Sequence, residues 1–177
     1  KLKMGPSDTD DFGPFINAKQ LGNMVAAVER ARESGATILT GGKRLTDDEH
    51  KGGFYMAPTI IEDARPSDAI SRDELFGPIT CLYRVKGFTE AVELVNDSPF
   101  GLTAAIHTKN MHRAMTFMNE VKTGVISING ATYGSEPHMP FGGLGQSGTG
   151  WREAGTEALD VYSDWKTVYI VHDPTDV

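Results

Sequence analysis

The chain has 177 residues and sets 17 Lys and Arg against 24 Asp and Glu, a formal net charge of −7. That balance argues against nucleic-acid binding, which needs clustered cations to neutralise phosphate. No apolar run has transmembrane length and no stretch reads as a signal peptide. The length suits one domain, or most of one, with a real core. The single cysteine excludes an internal disulfide and fits a reducing, cytoplasmic setting.

In chain order, Lys1–Pro14 is rich in Gly, Pro, Ser and Asp and reads as loop. It opens without an initiator Met, which reads as a start in mid-protein or after a removed segment. Asn17-Ala18-Lys19-Gln20 resembles a capping box and predicts a helix with Leu21, Val25, Val28 and Ala31 on its inner face. Gly35 stands where a helix-ending glycine belongs. Thr37–Thr40 is a short strand stopped by Gly41-Gly42, Thr46–Gly53 a polar surface loop, and Phe54–Ile61 an extended stretch interrupted at Pro58.

The central stretch is Asp73-Glu74-Leu75-Phe76-Gly77-Pro78. A carboxylate and a ring two residues apart, held by a Gly-Pro turn, suit a ligand with a sugar and a flat heterocycle. The carboxylate can accept from two ribose hydroxyls at about 1.5–3 kcal/mol per bond, and the ring can lie against the heterocycle. The plainer reading is an exposed Glu beside a core Phe.

Beyond it, Ile79, Cys81, Tyr83 and Val85 alternate as a strand does. Phe88–Asn96 reads as a helix capped by Thr89, Leu102–Thr108 as a strand, and 110–122 as a helix capped by Asn110 with Ala114, Met115, Met118 and Val121 inward. Val125–Asn129 is the next strand, Trp151–Tyr162 a helix, and Trp165–Val171 a final strand. This alternation predicts an α/β fold of βαβ units with a mainly parallel twisted sheet. Between Gly130 and Gly150 lies a long glycine-rich loop of the kind that is usually functional.

That loop contains a literal G-x-G-x-x-G, Gly143-Leu144-Gly145-Gln146-Ser147-Gly148. A dinucleotide fingerprint needs a strand directly before it, and the nearest ends at Asn129. The stronger reading is a set of tight turns holding Phe141 in place. Cys81 lies mid-strand among apolar neighbours and reads as a buried structural thiol, not a nucleophile. The histidines, His50, His107, His112, His138 and His172, show no metal-ligand spacing, so no metal is assigned. His138, near Phe141, is either a substrate contact or a solvated loop residue. Arg152 and Glu153 open the predicted last helix, where Glu complements the helix dipole.

Taken together, Gly35-Ala36, Gly41-Gly42, Pro58-Thr59, Glu74-Leu75-Phe76-Gly77-Pro78, Asn96 with Gly101-Leu102, Pro140-Phe141-Gly142-Gly143 with Ser147-Gly148, Arg152-Glu153, and Tyr162 with Lys166-Thr167 resemble the C-terminal part of the aldehyde dehydrogenase superfamily. The resemblance runs from about Gly13 to Thr167. It implies that fold, in incomplete form, and NAD(P)+-dependent oxidation of an aldehyde to an acid through a thioester on a cysteine. Carried over by position, Glu74 would hold the nicotinamide ribose, Phe76 would pack near the nicotinamide, and Phe141, with His138 nearby, would line the substrate tunnel. The family's nucleophile, general base and Rossmann-type domain have no counterpart here, so no catalytic residue is assigned and the chain alone is expected to be inactive. The expected boundaries are 1–162 for the catalytic-domain portion and 163–177 for a terminal oligomerisation strand and tail, giving a homo-oligomer (dimer or tetramer) with a small-molecule aldehyde substrate and no nucleic-acid or membrane partner. The other readings are a non-catalytic assembly protein that keeps the fold, and a stand-alone nucleotide-binding module built on Gly143–Gly148.

Overall fold

A computed structural model describes residues 2–171 together with Thr175; His172 and most of the expected tail lie outside the described residues. The chain divides into two compact units, Lys1–Gly87 and Phe88–Val177.

In the first unit, helix α1 (Ala18–Glu33) begins where Asn17 Oδ1 accepts from the Gln20 amide. Only half of a capping box is present, because the Gln20 side chain donates elsewhere. Helix α1 ends at Ser34, and Gly35 follows with a φ of 99°. Its inner stripe is Leu21, Met24, Val28 and Ala31. Met24 takes the central place that periodicity assigned to Val25, which packs at the margin of the cluster.

The stripe covers a three-stranded sheet of order β1 (Thr37–Thr40), β2 (Thr59–Glu62) and β3 (Ile79–Leu82). Strands β1 and β2 are antiparallel, and β2 and β3 parallel, joined through the short helix α2 (Ala69–Arg72). Met56 and Ile61, both fully buried, meet Val28 in the core. Gly41 is required where it stands. It has a φ of 75°, and a Cβ there would lie 2.2 Å from the Pro58 carbonyl oxygen. Buried Thr59 ties the same corner: its hydroxyl donates to the Ala57 carbonyl and accepts from the Gly42 amide, each at 2.8 Å. The expected surface loop around Thr46–Gly53 contains one buried residue, His50 at 9% exposure.

In the second unit, α3 (Phe88–Asn96) starts one residue before the expected cap, so Thr89 lies inside its first turn. The short β4 (Phe100–Gly101) leads into β5 (Thr103–Ile106), α4 (Met111–Glu120) and β6 (Val125–Ile128). Strands β5 and β6 pair in parallel around α4, a βαβ unit as expected. Asn110 Oδ1 caps α4 through the Arg113 amide. Its buried face is Ala114 and Phe117, followed by Val121; Met115 and Met118 point to solvent at 45% and 42% exposure. Two apolar stripes compete on this helix, and the one with the phenyl ring wins because it removes more apolar area from water.

Two asparagines tie this unit's connections. Asn96 donates to the Glu120 carbonyl at 2.9 Å and accepts from the Lys122 amide at 2.8 Å. Asn129, at a φ of 58°, makes the equivalent pair with Thr108.

Among the named strands, parallel pairing is confined to β2/β3 and β5/β6, and an isolated parallel bridge joins Met4 and Phe12. Strands β1/β2 are antiparallel, as are β4 and β7 (Leu144–Gly145). The fold is α/β with parallel pieces in a mixed arrangement. The expected helix Trp151–Tyr162 shrinks to α5 (Ala158–Val161). Ala154 and Gly155 adopt φ values of 62° and 67°, which no right-handed helix contains. Trp165–Val171 pairs with no strand among the described residues; Trp165 is 97% exposed and Trp151 is 64% exposed. No helix among the described residues is long and apolar enough to cross a membrane.

Replacing Asn96 with Ala removes both bonds of its clamp and is expected to lower the unfolding free energy by about 1–3 kcal/mol in chemical denaturation. Asn96→Asp keeps the acceptor for the Lys122 amide and should lose less.

Candidate functional site

The turn 73–78 is rigid for local reasons. The Asp73 amide closes onto the Ala69 carbonyl, the Gly77 amide onto Leu75, and the Ile79 amide onto Gly77, each at 2.8 Å. The Pro78 carbonyl then accepts from the Thr59 amide at 2.8 Å, which locks the turn to β2. Leu75 packs against the core cluster, while its neighbours Glu74 and Phe76 are exposed. Phe76 is 71% exposed, so the core-Phe reading is corrected. Burying the ring would need Leu75 to surrender its place. Glu74 has no hydrogen bond or ion pair among the described residues, so its carboxylate is available to a ligand.

The turn is also seated on α1. Gln20 Nε2 donates to the Phe76 carbonyl at 3.3 Å. A Cβ on Gly77 would come within 3.0–3.1 Å of the Met24 thioether and the Phe15 ring. Sequence reasoning missed Gln20 as a supporting residue. Its partner is 56 residues away, and no local pattern marks such a pair. Beside Gly77 and Pro78 an open groove of about 640 Å³ runs past Pro58 and Thr80, with Leu2 and Phe12 on its wall.

Cys81 is half-buried and packs against the core of the first unit. Burial pushes its thiol above the ordinary value, and a hydrogen bond with Tyr83 opposes this more weakly. A nucleophile needs the opposite shift, so Cys81 is structural.

In the second unit, Gly143–Gly148 is packed onto its own protein. The Gln146 amide donates to Pro99, and the Gly101 amide donates to Ser147 Oγ. A Cβ on Gly124 would lie 1.6 Å from the Gly142 carbonyl oxygen. Backbone fills the space that a phosphate would occupy, so the run is a set of close-packed turns. Phe141, half-buried, exchanges two backbone hydrogen bonds of 2.8 Å with Glu153. Glu153 therefore sits in a β-bridge, and Arg152 donates to the Gly150 carbonyl; neither opens a helix. His138 is exposed, and its carbonyl lies close against Gly155. Of these two residues, only Phe141 is built into the packed structure.

The profile of the Aldehyde dehydrogenase family matches residues 1–168. The chain belongs to the aldehyde dehydrogenase family. It is 34% identical over 171 residues to the alpha-ketoglutaric semialdehyde dehydrogenase of Bacillus subtilis, covering 96% of this chain and 35% of that protein. It is 37% identical to a benzaldehyde dehydrogenase of the same organism, covering 97% of this chain and 34% of the relative. Among solved structures, betaine aldehyde dehydrogenase from Staphylococcus aureus in complex with NAD+ aligns with a TM-score of 0.86 at 34% identity, over 92% of this chain and 32% of that one. A 3,6-anhydro-L-galactose dehydrogenase in complex with NADP aligns at 0.84 and 35% identity, over 91% of this chain and 34% of that one. The chain thus spans about a third of the length of these relatives.

Gly124→Ala drives a methyl into the Gly142 carbonyl and is expected to destabilise the second unit by about 1–3 kcal/mol or more. Gly130→Ala, whose Cβ would meet nothing closer than 3.7 Å, is the matched control and should change stability little. Denaturation midpoints of the two variants check this.

Proposed function

We propose that this chain forms the C-terminal part of an NAD(P)+-dependent aldehyde dehydrogenase that oxidises an aldehyde to a carboxylic acid. The observation that carries the reading is the pairing of a free Glu74 carboxylate with a solvent-facing Phe76 ring on a turn that neither residue has to hold together. This donor set fits the cofactor: the carboxylate accepts from vicinal ribose hydroxyls, and the ring offers a flat face to a nicotinamide. The cofactor, when bound, supplies the hydride acceptor for aldehyde oxidation.

The residues of this chain bind and orient. Glu74 fixes the sugar, Phe76 limits where the ring lies, and Gln20 and Gly77 keep the turn on α1. Phe141 lines the aldehyde's approach, with His138 beside it on the exposed stretch 131–139. Exposed Ser135, Glu136 and His138 favour an aldehyde with a polar or charged tail. The nucleophilic cysteine lies in another part of the whole protein, since the thiol here is half-buried against the core of the first unit and shifted the wrong way.

The stretch 1–162 belongs to the catalytic portion. The stretch from 163 onward serves association with a second copy, as a terminal strand that adds to a sheet edge. The exposure of Trp165, Tyr169, Ile170 and Val171 supports this, since large apolar side chains in water favour being covered. A reducing, cytoplasmic compartment is consistent with the single thiol.

In the whole protein, Glu74→Gln is expected to raise KM for NAD(P)+ by roughly tenfold or more, because each hydrogen bond to the ionised group is worth about 1.5–3 kcal/mol. Steady-state kinetics at saturating aldehyde make the measurement, and an unchanged KM removes Glu74 from the site. The 177-residue chain alone should turn over no aldehyde; turnover by the purified chain would overturn the placement of the nucleophile elsewhere.

A further inference from the structure

An imidazole ties the segment before α1 to the turn at 47–51, beside the backbone bond from the Phe15 amide to Phe54. Residues 3–12 form a closed loop. The Asp11 amide donates to Lys3, and the Gly5 amide to Phe12, at 2.9 and 3.1 Å. Lys3 Nζ lies 2.7 Å from the Asp10 carboxylate, whose side chain is only 2% exposed. The link from this loop to the turn at 47–51 is His50. Its Nδ1 lies 2.6 Å from Asp47 Oδ1, and its Nε2 lies 2.9 Å from the Met4 carbonyl oxygen. The ring meets Tyr55 edge-on at 5.1 Å between centroids.

Both partners of the imidazole are acceptors only. A carboxylate and a peptide carbonyl have no proton to give. A neutral imidazole carries one N–H, so it would turn a lone pair toward one of these oxygens inside hydrogen-bond distance. Only the doubly protonated ring donates to both.

We propose that His50 is a proton-operated latch: as imidazolium it fastens the Lys3–Phe12 segment to the turn carrying Asp47, and loss of one proton frees the Met4 carbonyl. The charged groups around it favour the closed state. Asp47 and Glu49 face it from its own turn, and Asp10, partly offset by Lys3, from the N-terminal loop; Tyr55 adds only a ring edge. The Met4 carbonyl first, and Asp47 second, hold the imidazole above its ordinary value against the opposing effect of burial. The hydrogen bond from His50 in turn holds the Asp47 carboxyl below its usual range.

The signs define a window. A raised imidazole contributes stability that is complete below its unfolded value and lost as pH rises through its folded one. A lowered carboxyl contributes stability that is present above its unfolded value and lost as pH falls through its folded one. The latch is closed between these limits. Its opening would move Leu2 and Phe12, which wall the groove beside Gly77 and Pro78, so the device sits where it can alter access to that side of the turn.

Two measurements on the whole protein test the latch. Nitrogen NMR of histidine-labelled protein should show His50 titrating above the ordinary imidazole value, with both ring nitrogens protonated below that titration. Hydrogen exchange of the peptide covering residues 3–12, corrected for intrinsic base catalysis, should lose protection by about tenfold per pH unit above the His50 titration, until the loop is open. In His50→Gln, which cannot titrate, protection of that peptide should be flat over the same range. A His50 ring that titrates at or below the ordinary imidazole value, or protection in the wild type that ignores its titration, overturns the proposal. The wild-type spectra decide the point if the variant does not fold.

Discussion

The contact on which the candidate site depends is the approach of Gly77 to Met24 and Phe15. Met24 is at once a core residue of the first unit and the floor beneath the functional turn. The same stripe that buries Val28 and Ala31 therefore sets the height at which Glu74 and Phe76 stand. A turn seated on a helix that fills a core is held by packing on one side and by three short backbone bonds on the other. Its two exposed side chains, Glu74 and Phe76, carry none of that load. For the proposed cofactor site this is preorganisation: the ordering cost is met on folding, not on binding.

The second unit solves a different problem. Its long glycine-rich stretch has little side-chain volume to bury, so backbone packs against backbone. Gly124 against Gly142, and Gly143 against Ser147, bring main chains closer than any Cβ would allow. Phe141 is fixed at the edge of this assembly by its bridge to Glu153. The pattern that looks like a phosphate cradle in one dimension is an internal clasp in three.

Local devices were readable and remote ones were not. Asn17, Asn110 and Gly35 act within a few residues of themselves, and the helices they bound were placed to within a residue or two. The strands of the β5–α4–β6 unit followed from alternation and spacing, whereas the short helix α2 that joins β2 to β3 carries no such signal. On α4 the inward places of Ala114 and Val121 were readable, but Phe117 takes the place expected for Met115 and Met118, because both stripes are apolar and only the surrounding packing decides between them. The helix expected from Trp151 failed because Arg152 and Glu153 are drawn into a bridge with Phe141, and left-handed residues at Ala154 and Gly155 then turn the chain. Glu74 and Phe76 stand out from their spacing before a Gly-Pro turn, and the resemblance to a family gives them their proposed roles. Their support by Gln20, and the burial of His50 in a polar loop, depend on partners far along the chain.

The two tryptophans of the chain, Trp151 and Trp165, both lie in the second unit, and both are largely in water. Neither ring belongs to the core of the first unit. Any event that covers the C-terminal stretch moves Trp165 from water to a less polar setting and shifts its emission to the blue. Trp165 is thus a built-in optical reporter for whatever covers that stretch.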